Sequence, residues 1–131
     1  MNEKIKEGLY VVFRIGIGIL FFALGVQKLF GLWGMPGGPA VFLTLIWFAG
    51  LFELMIGLSL IFGVLVRLAS FFGVIMMIVA YYLGHVTTGG WNPTVNFGMP
   101  ALVFGLAFLA TLAFGARKAS VEKAIFKKEL F

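Results

Sequence analysis

The apolar stretch over residues 41–63, VFLTLIWFAGLFELMIGLSLIFG, constrains the fold of this chain more than any other part of the sequence. As a helix rising about 1.5 Å per residue, it can cross a hydrocarbon core of roughly 30 Å. Its only charged residue is Glu53, which lies near the middle. An acidic side chain at that depth costs on the order of 3 kcal/mol to insert, so we expect Glu53 to face other helices and to meet a cation.

The composition indicates an integral membrane protein. Hydrophobic residues make up 62% of the 131 residues and charged residues 11%, and the mean hydropathy is +1.10. Soluble domains contain about 45–50% apolar and 25% charged residues, so much of this apolar surface must face lipid. The sequence has no cysteine, which excludes disulfides and thiolate metal sites within the chain. The length favours a single integral membrane domain over residues 1–131.

Four apolar spans follow from the sequence pattern. A Gly- and Pro-rich loop, a tight basic turn and a loop with Gly, Thr and Asn separate them. We place the spans at residues 9–30, 41–63, 68–86 and 98–115. A cleaved signal peptide is the alternative for the first span, but no small-residue cleavage site follows its long apolar region. The sequence therefore predicts an all-α membrane protein, built as an up-down bundle of four transmembrane helices.

The distribution of Lys and Arg predicts the orientation of this bundle. With four spans, both termini lie on one side, and only Lys28 among the ten basic residues lies on the other. Because Lys and Arg are enriched on the cytoplasmic side, we expect both termini to be cytoplasmic and the protein to lie in the cell membrane. The net charge of +5 then suits orientation and anionic lipid rather than nucleic acid.

The basic tail over residues 116–131 contains a predicted short amphipathic helix. Ser120 is a suitable N-cap, and Val121, Ala124 and Ile125 would face the bilayer while the lysines point outward. A free, solvated tail is the alternative.

Small residues recur at helical spacing within the spans. Gly50 and Gly57 fall on the same face as Glu53, which predicts that this face packs against another helix. The alternative is that glycine is simply common in membrane helices.

The first layer of polar residues predicts a buried ion pair. Counted from the cytoplasmic edge, Arg14 lies roughly 8 Å deep and Glu53 about 15 Å deep, so we expect an Arg14–Glu53 pair. Lys28 lies further out and is the poorer partner. One alternative is that such a pair is purely structural: it fixes how the two helices meet and has no chemical role. Alternatively, Arg14 extends to the headgroups while Glu53 stays neutral.

A second layer of polar residues is expected at the outer edge, where the first and third spans end below a loop. Its members are Gln27, Lys28, His85, Trp91, Asn92 and Asn96. A polar pocket at the mouth of an apolar bundle suits a quinone or another amphiphile, whose carbonyl oxygens accept hydrogen bonds. The alternative is that these side chains simply gather at the lipid headgroups. We expect no metal at His85, since no second ligand lies near it in the sequence, and one histidine cannot hold a bis-histidine haem.

The order of these features resembles the DoxX family of small four-helix membrane proteins. The motifs are Arg14-x-Gly16, Gly25-x-x-Lys28, Glu53-Leu54-x-x-Gly57-Leu58, Gly63-x-x-x-Arg67 and Asn96-x-Gly98, and the resemblance covers residues 10–116. It implies a four-helix bundle with cytoplasmic termini. Family members usually carry an acid soon after the Asn-x-Gly motif, whereas Met99 and Pro100 stand here. The last span is followed by a basic tail in place of the family's Gly-rich, Asp-bearing ending.

The resemblance implies a range of activities and not a single one. Family members are similar to the membrane subunit of thiosulfate:quinone oxidoreductase and to proteins associated with terminal quinol oxidases. Others are linked to redox-stress complexes, and distant relatives assist membrane-protein assembly or export.

The sequence and the resemblance are compatible with three functions. The first is a quinone-interacting or accessory subunit of a membrane oxidoreductase. It would have no intrinsic cofactor, with Lys28, His85 and Asn96 on the quinone head group and electrons from a membrane or peripheral redox partner. The second is a non-catalytic assembly, scaffold or chaperone-like protein that packs against another membrane protein. The third is a small-solute transporter, which would need a homo-oligomer because four spans leave little room for two gates.

Overall fold

All regular elements in the computed structural model, which describes residues 1–130, are helices. Three helices are long and apolar enough to cross a membrane, and a shorter apolar helix follows them. In chain order the helices are α1 (Glu3–Phe30), α2 (Leu45–Phe62), α3 (Val66–Gly89), α4 (Met99–Phe114) and α5 (Val121–Phe126). The all-helical prediction is confirmed for the described part of the chain.

The helix ends differ from the predicted spans where local capping decides them. The Asn2 side chain accepts a hydrogen bond from the Lys4 backbone N–H, so α1 begins at Glu3 and includes the charged entry. The second helix begins at Leu45 rather than at residue 41. There Leu43 has a φ of +65°, which is outside the helical region, and Thr44 caps the first turn.

The third helix is longer than predicted. It begins at Val66 and is α-helical to Tyr81. A π-helical turn then covers Tyr82–Val86, and a last α-helical turn covers Thr87–Gly89. The π-helical turn carries His85, and such turns are frequent at functional sites.

Glycines bring α1 and α2 into backbone contact. A Cβ on Gly18 would lie 2.9 Å from the carbonyl oxygen of Gly57, and one on Gly25 would lie 2.7 Å from that of Gly50. The two helices therefore run antiparallel at a separation that only glycine permits at these positions. The predicted packing face of Gly50, Glu53 and Gly57 is confirmed, since all three residues are buried.

Helices α3 and α4 form a second antiparallel pair. The hydroxyls of Ser70 and Thr111 lie 2.6 Å apart in the buried interface. A Cβ on Gly73 would lie 2.7 Å from the Phe108 ring. Small and polar side chains thus set the separation here, as is common between membrane helices.

Helix α1 joins the two pairs. The rings of Phe21 and Phe108, both fully buried, lie 4.8 Å apart in an edge-to-face arrangement. Near the start of α1, the Tyr10 hydroxyl donates to the Gly115 carbonyl at 2.6 Å. The start of α1, the turn from α2 to α3 and the end of α4 therefore share one end of the molecule, the terminal face. The opposite end, with residues 31–44 and 90–98, is the loop face.

The tail folds back onto the terminal face. Ser120 caps α5 by accepting from the Lys123 N–H at 3.2 Å, as predicted, and donates to the Gly63 carbonyl at 2.6 Å. Glu122 is buried rather than outward-facing, whereas Ile125 is exposed. The alternative of a free tail is wrong for residues 116–123, because Arg14 and Gly63 both bind them.

Candidate functional site

A buried ion pair lies in the interface between α1 and α2. The Lys28 ammonium donates to both carboxylate oxygens of Glu53, each at 2.8 Å. Glu53 is only 4% exposed, while the Lys28 side chain is 22% exposed. The cation therefore lies between the buried acid and the surface toward the loop face, and it neutralises the acid within the apolar interior.

The predicted Arg14–Glu53 pair is wrong, and the register of the two helices explains why. Residues that meet across the interface, such as Gly18 with Gly57 and Gly25 with Gly50 or Leu54, have numbers that sum to about 75–79. Glu53 is therefore level with about residue 24, four residues from Lys28 and ten from Arg14, or about 6 Å and 15 Å along the axis. The prediction assumed that the two spans begin level at residues 9 and 63, whereas α1 extends beyond α2 at the terminal face.

Arg14 instead binds backbone carbonyls at the terminal face. Its fully buried guanidinium donates to the carbonyl of Leu60 at 2.9 Å, in the last turn of α2. It also donates to three carbonyls that follow α4, those of Ala116, Lys118 at 3.1 Å and Ala119 at 2.8 Å. Carbonyls at a helix C-terminus carry partial negative charge, so they stabilise a cation without a carboxylate.

A second polar cluster lies at the loop face, around Asn96. Its amide nitrogen donates to the Tyr81 hydroxyl at 3.2 Å and to the Gly90 carbonyl at 2.8 Å, and its amide oxygen accepts from the Gly98 N–H at 2.7 Å. The His85 Nδ1 lies 2.9 Å from the Asn96 carbonyl oxygen. Asn96 thus fixes the loop to the end of α3, with its amide nitrogen and amide oxygen both hydrogen-bonded.

The structure brings only some of the predicted outer-layer residues together. His85 and Asn96 are in contact, and Trp91 joins them through its carbonyl, which accepts from Tyr81, while its ring is 71% exposed. Two other members are bonded elsewhere. Gln27 donates to the Trp33 carbonyl at 3.3 Å, and the Asn92 side chain accepts from Thr94. Lys28, on α1, is held by Glu53.

Tyr81 is the polar residue of this cluster that sequence reasoning missed. It precedes His85 by four residues on the same helix, a spacing that places both side chains on one face. That spacing was the available signal. Within residues 1–130, no three His, Asp or Glu side chains gather as metal ligands would.

Long apolar helices, glycine-mediated contacts and an ion pair buried at membrane depth define a polytopic membrane protein. A family model described as DoxX matches residues 9–86, which is more than half of the chain. The chain therefore belongs to the DoxX family. No curated protein and no solved structure matches the sequence.

Proposed function

We propose that this protein is a quinone-linked accessory subunit of an oxidoreductase complex in the cell membrane. In this proposal α1 to α4 cross the bilayer as an up-down bundle with both termini cytoplasmic. The charge distribution supports this orientation: of the ten basic residues, only Lys28 is on the loop-face side. The family membership supports a membrane location.

The observation that carries the quinone proposal is the geometry of Lys28. An ammonium group has three N–H donors, and two of them go to the Glu53 oxygens. The third N–H belongs to a side chain that is 22% exposed and can donate to the carbonyl oxygen of a ligand. A quinone presents such an oxygen on an apolar ring, which matches a cation at the edge of an apolar interface.

The pair can also serve the protons of quinone chemistry. Reduction of a quinone to a quinol takes two electrons and two protons, one proton for each carbonyl oxygen. Lys28 can donate one proton to the oxygen it binds and regain a proton from water at the loop face, where its side chain is partly exposed. The proton for the other carbonyl oxygen comes from water at the same face. The electrons must come from a partner subunit with its own redox centre, since this sequence has no cysteine and only one histidine.

Quinone-dependent stabilisation tests this function. We expect a short-chain quinone to raise the melting temperature of detergent-purified protein by several degrees, because a ligand that binds only the folded state stabilises it. Lys28→Met/Glu53→Leu removes the ammonium without leaving an unpaired charge and should abolish the shift, and His85→Ala shows whether the loop cluster contributes. Arg117→Gln, which removes a surface pair with Glu7, is the control and should keep the shift. A shift that survives in the double variant, or none in the wild type, contradicts the proposal.

A second function, a non-catalytic assembly or scaffold protein, is favoured by a different observation. Glu53 and Asn96 have all their side-chain partners within the chain, so their burial needs no ligand. A partner protein that co-purifies in fixed stoichiometry, together with no effect of quinone on melting, would favour this function.

A further inference from the structure

The connection between α1 and α2, residues 31–44, contains no charged residue and ends in a run of exposed apolar side chains. Val41, Phe42 and Leu43, which we call the apolar segment, are 72%, 69% and 60% exposed. The Thr44 hydroxyl that follows them donates to the Val41 carbonyl at 2.6 Å, so it is used within the connection. A contiguous exposed apolar patch of this kind marks a surface that contacts a membrane or a partner.

The connection holds the apolar segment beside the end of α1. The Ala40 N–H donates to the Lys28 carbonyl at 2.8 Å, in the last turn of that helix. A Cβ on Gly31 would lie 2.5 Å from the Pro39 nitrogen, so the chain folds back closely on itself. The connection thus leaves α1 at Gly31, returns to the end of that helix and continues through the apolar segment into α2.

In the proposed topology, this level is the outer boundary of the hydrocarbon core. Helix α2 has 18 residues and is therefore about 27 Å long, slightly less than a hydrocarbon core of roughly 30 Å. An α2 that spans the core therefore places its first residue, Leu45, at the boundary, directly after the apolar segment and Thr44. Leu45 is itself 68% exposed, so the apolar segment continues the exposed apolar surface of α2.

The other connection at the loop face, residues 90–98, has a different character. It also exposes two rings, those of Trp91 and Phe97, but an asparagine stands next to each of them. Asn92 and Thr94 are exposed polar residues, and Val95 follows them at 62% exposure. The amide and hydroxyl groups of this connection suit water and headgroups, whereas the apolar segment offers no polar side chain. The two connections therefore favour different surroundings.

We propose that the apolar segment inserts into the outer leaflet of the membrane, at the boundary between headgroups and hydrocarbon. Its three side chains leave water there, while the irregular backbone still reaches water or headgroups for its hydrogen bonds. The partner is the apolar part of the lipid, because residues 29–52 contain no charged side chain that could select a headgroup or a charged protein. The inference uses the proposed topology but not the quinone function.

Thiol labelling compares the two connections. Val41→Cys and Val95→Cys form a matched pair, since both valines are exposed at the loop face and the chain has no other cysteine. In intact cells and in phosphatidylcholine vesicles of purified protein, we expect a membrane-impermeant maleimide to react at least several-fold more slowly with Val41→Cys. This order is the reverse of the exposure in the fold, where Val41 is the more accessible residue. After denaturation in detergent, the two thiols should react at the same rate.

Quenching by brominated lipid measures the depth of the segment directly, and it does so without Val41→Cys. The background carries Trp33→Phe, Trp47→Phe and Trp91→Phe, which replace all three tryptophans. Phe42→Trp in this background should be quenched most by phosphatidylcholine that is brominated near the headgroup end of its acyl chains. Lipid brominated near the methyl end should quench it less. Val95→Trp is the control and should be quenched only weakly by either lipid.

Several results would overturn the proposal. Equal labelling of Val41→Cys and Val95→Cys in vesicles, or equal quenching of Phe42→Trp and Val95→Trp, excludes insertion of the segment. Slow labelling of Val41→Cys in cells that becomes fast in vesicles would assign the segment to a partner protein. Slow labelling that disappears when the vesicles hold more lipid per protein would assign it to a second copy of the chain. Failure of Val95→Cys to react in intact cells contradicts the topology instead, so the two failures are distinguishable.

Discussion

Arg14 and Lys28 are carried by the same helix, but they are stabilised by different groups. Arginine has five donors in a planar fork, which suits several carbonyl oxygens at once, whereas the lysine ammonium is a compact charge. Arg14 accordingly binds four carbonyls at the terminal face, and Lys28 binds one carboxylate. Exchanging the two residue types would suit neither site.

Breaking the Lys28–Glu53 pair should destabilise the protein strongly. Lys28→Met leaves Glu53 buried without a cation, which costs on the order of 3 kcal/mol. The double variant Lys28→Met/Glu53→Leu should recover most of this loss, since it leaves no unpaired charge. Unfolding of the single and double variants in detergent, followed by circular dichroism, measures the difference. A double variant as unstable as Lys28→Met would contradict the expected coupling.

Arg14 should hold the tail against the terminal face. In Arg14→Lys fewer donors are available for the same four carbonyls, so residues 116–126 should open and become accessible to trypsin. We expect faster tail cleavage by at least several-fold in a time course on detergent-purified protein. Glu7→Gln removes the surface pair with Arg117 but keeps every tryptic site of the tail, and it serves as the control. Equal cleavage of wild type and Arg14→Lys would rule out this role.

Sequence reasoning identified Glu53 as a buried acid that needs a cation, but it chose the wrong cation. Depth along a single helix can be counted from sequence. The offset between two helices depends on which glycines meet across the interface, and the pattern of one chain does not contain that information. The same limit applies to Tyr81, whose role depends on where the loop places Asn96.

At the scale of helices, the contact between α1 and α2 depends on residues that lack a side chain. Gly18, Gly25, Gly50 and Gly57 each face the backbone or a close side chain of the other helix. In a membrane the hydrophobic effect does not drive helices together, so close van der Waals contact has to stabilise their association. This interface also sets the distance between Lys28 and Glu53.

Adding one methyl group should have opposite effects on stability at two glycines of α1, Gly25 and Gly16. A Cβ on Gly25 would lie 2.6 Å from the Leu54 backbone nitrogen, whereas one on Gly16 would meet nothing within 4 Å. Gly25→Ala should therefore destabilise the protein by about 1–3 kcal/mol through overpacking. Gly16→Ala should be neutral or stabilising by roughly 0.5–1 kcal/mol. Unfolding curves of the two variants compare them directly, and equal effects would contradict the close packing.

The helices themselves were largely predictable, because long apolar runs between Gly- and Pro-rich loops leave few alternatives. The positions at which the helices begin and end were less predictable. Nothing in an apolar run signals the positive φ of Leu43, and Thr44, although a suitable N-cap, lies inside the predicted span. An apolar groove between α2 and α3, lined by Phe52, Phe62 and Phe72 among others, was not predictable, since it depends on large side chains from two helices meeting at one junction.

At the scale of the whole molecule, the orientation in the bilayer is the property that sequence charge predicts most directly. Cysteine scanning can test it without background, because the chain contains no cysteine. We expect Val95→Cys, in an exposed part of the loop face, to react with a membrane-impermeant maleimide in intact cells. Asn2→Cys and Lys128→Cys should react only after permeabilisation. The reverse pattern would place the basic terminal face outside and contradict the charge argument.

The partners of Arg14 have a consequence for biosynthesis. Its contacts at Ala116, Lys118 and Ala119 lie 102 to 105 residues later in the chain. When the translocon receives α1, those carbonyls have not been synthesised, so the guanidinium enters the nascent membrane segment uncompensated. In the proposed topology, such a charge would resist transfer across the bilayer and hold the amino end on the ribosome's side. A residue that completes the folded terminal face would thus already have directed the insertion of the first helix.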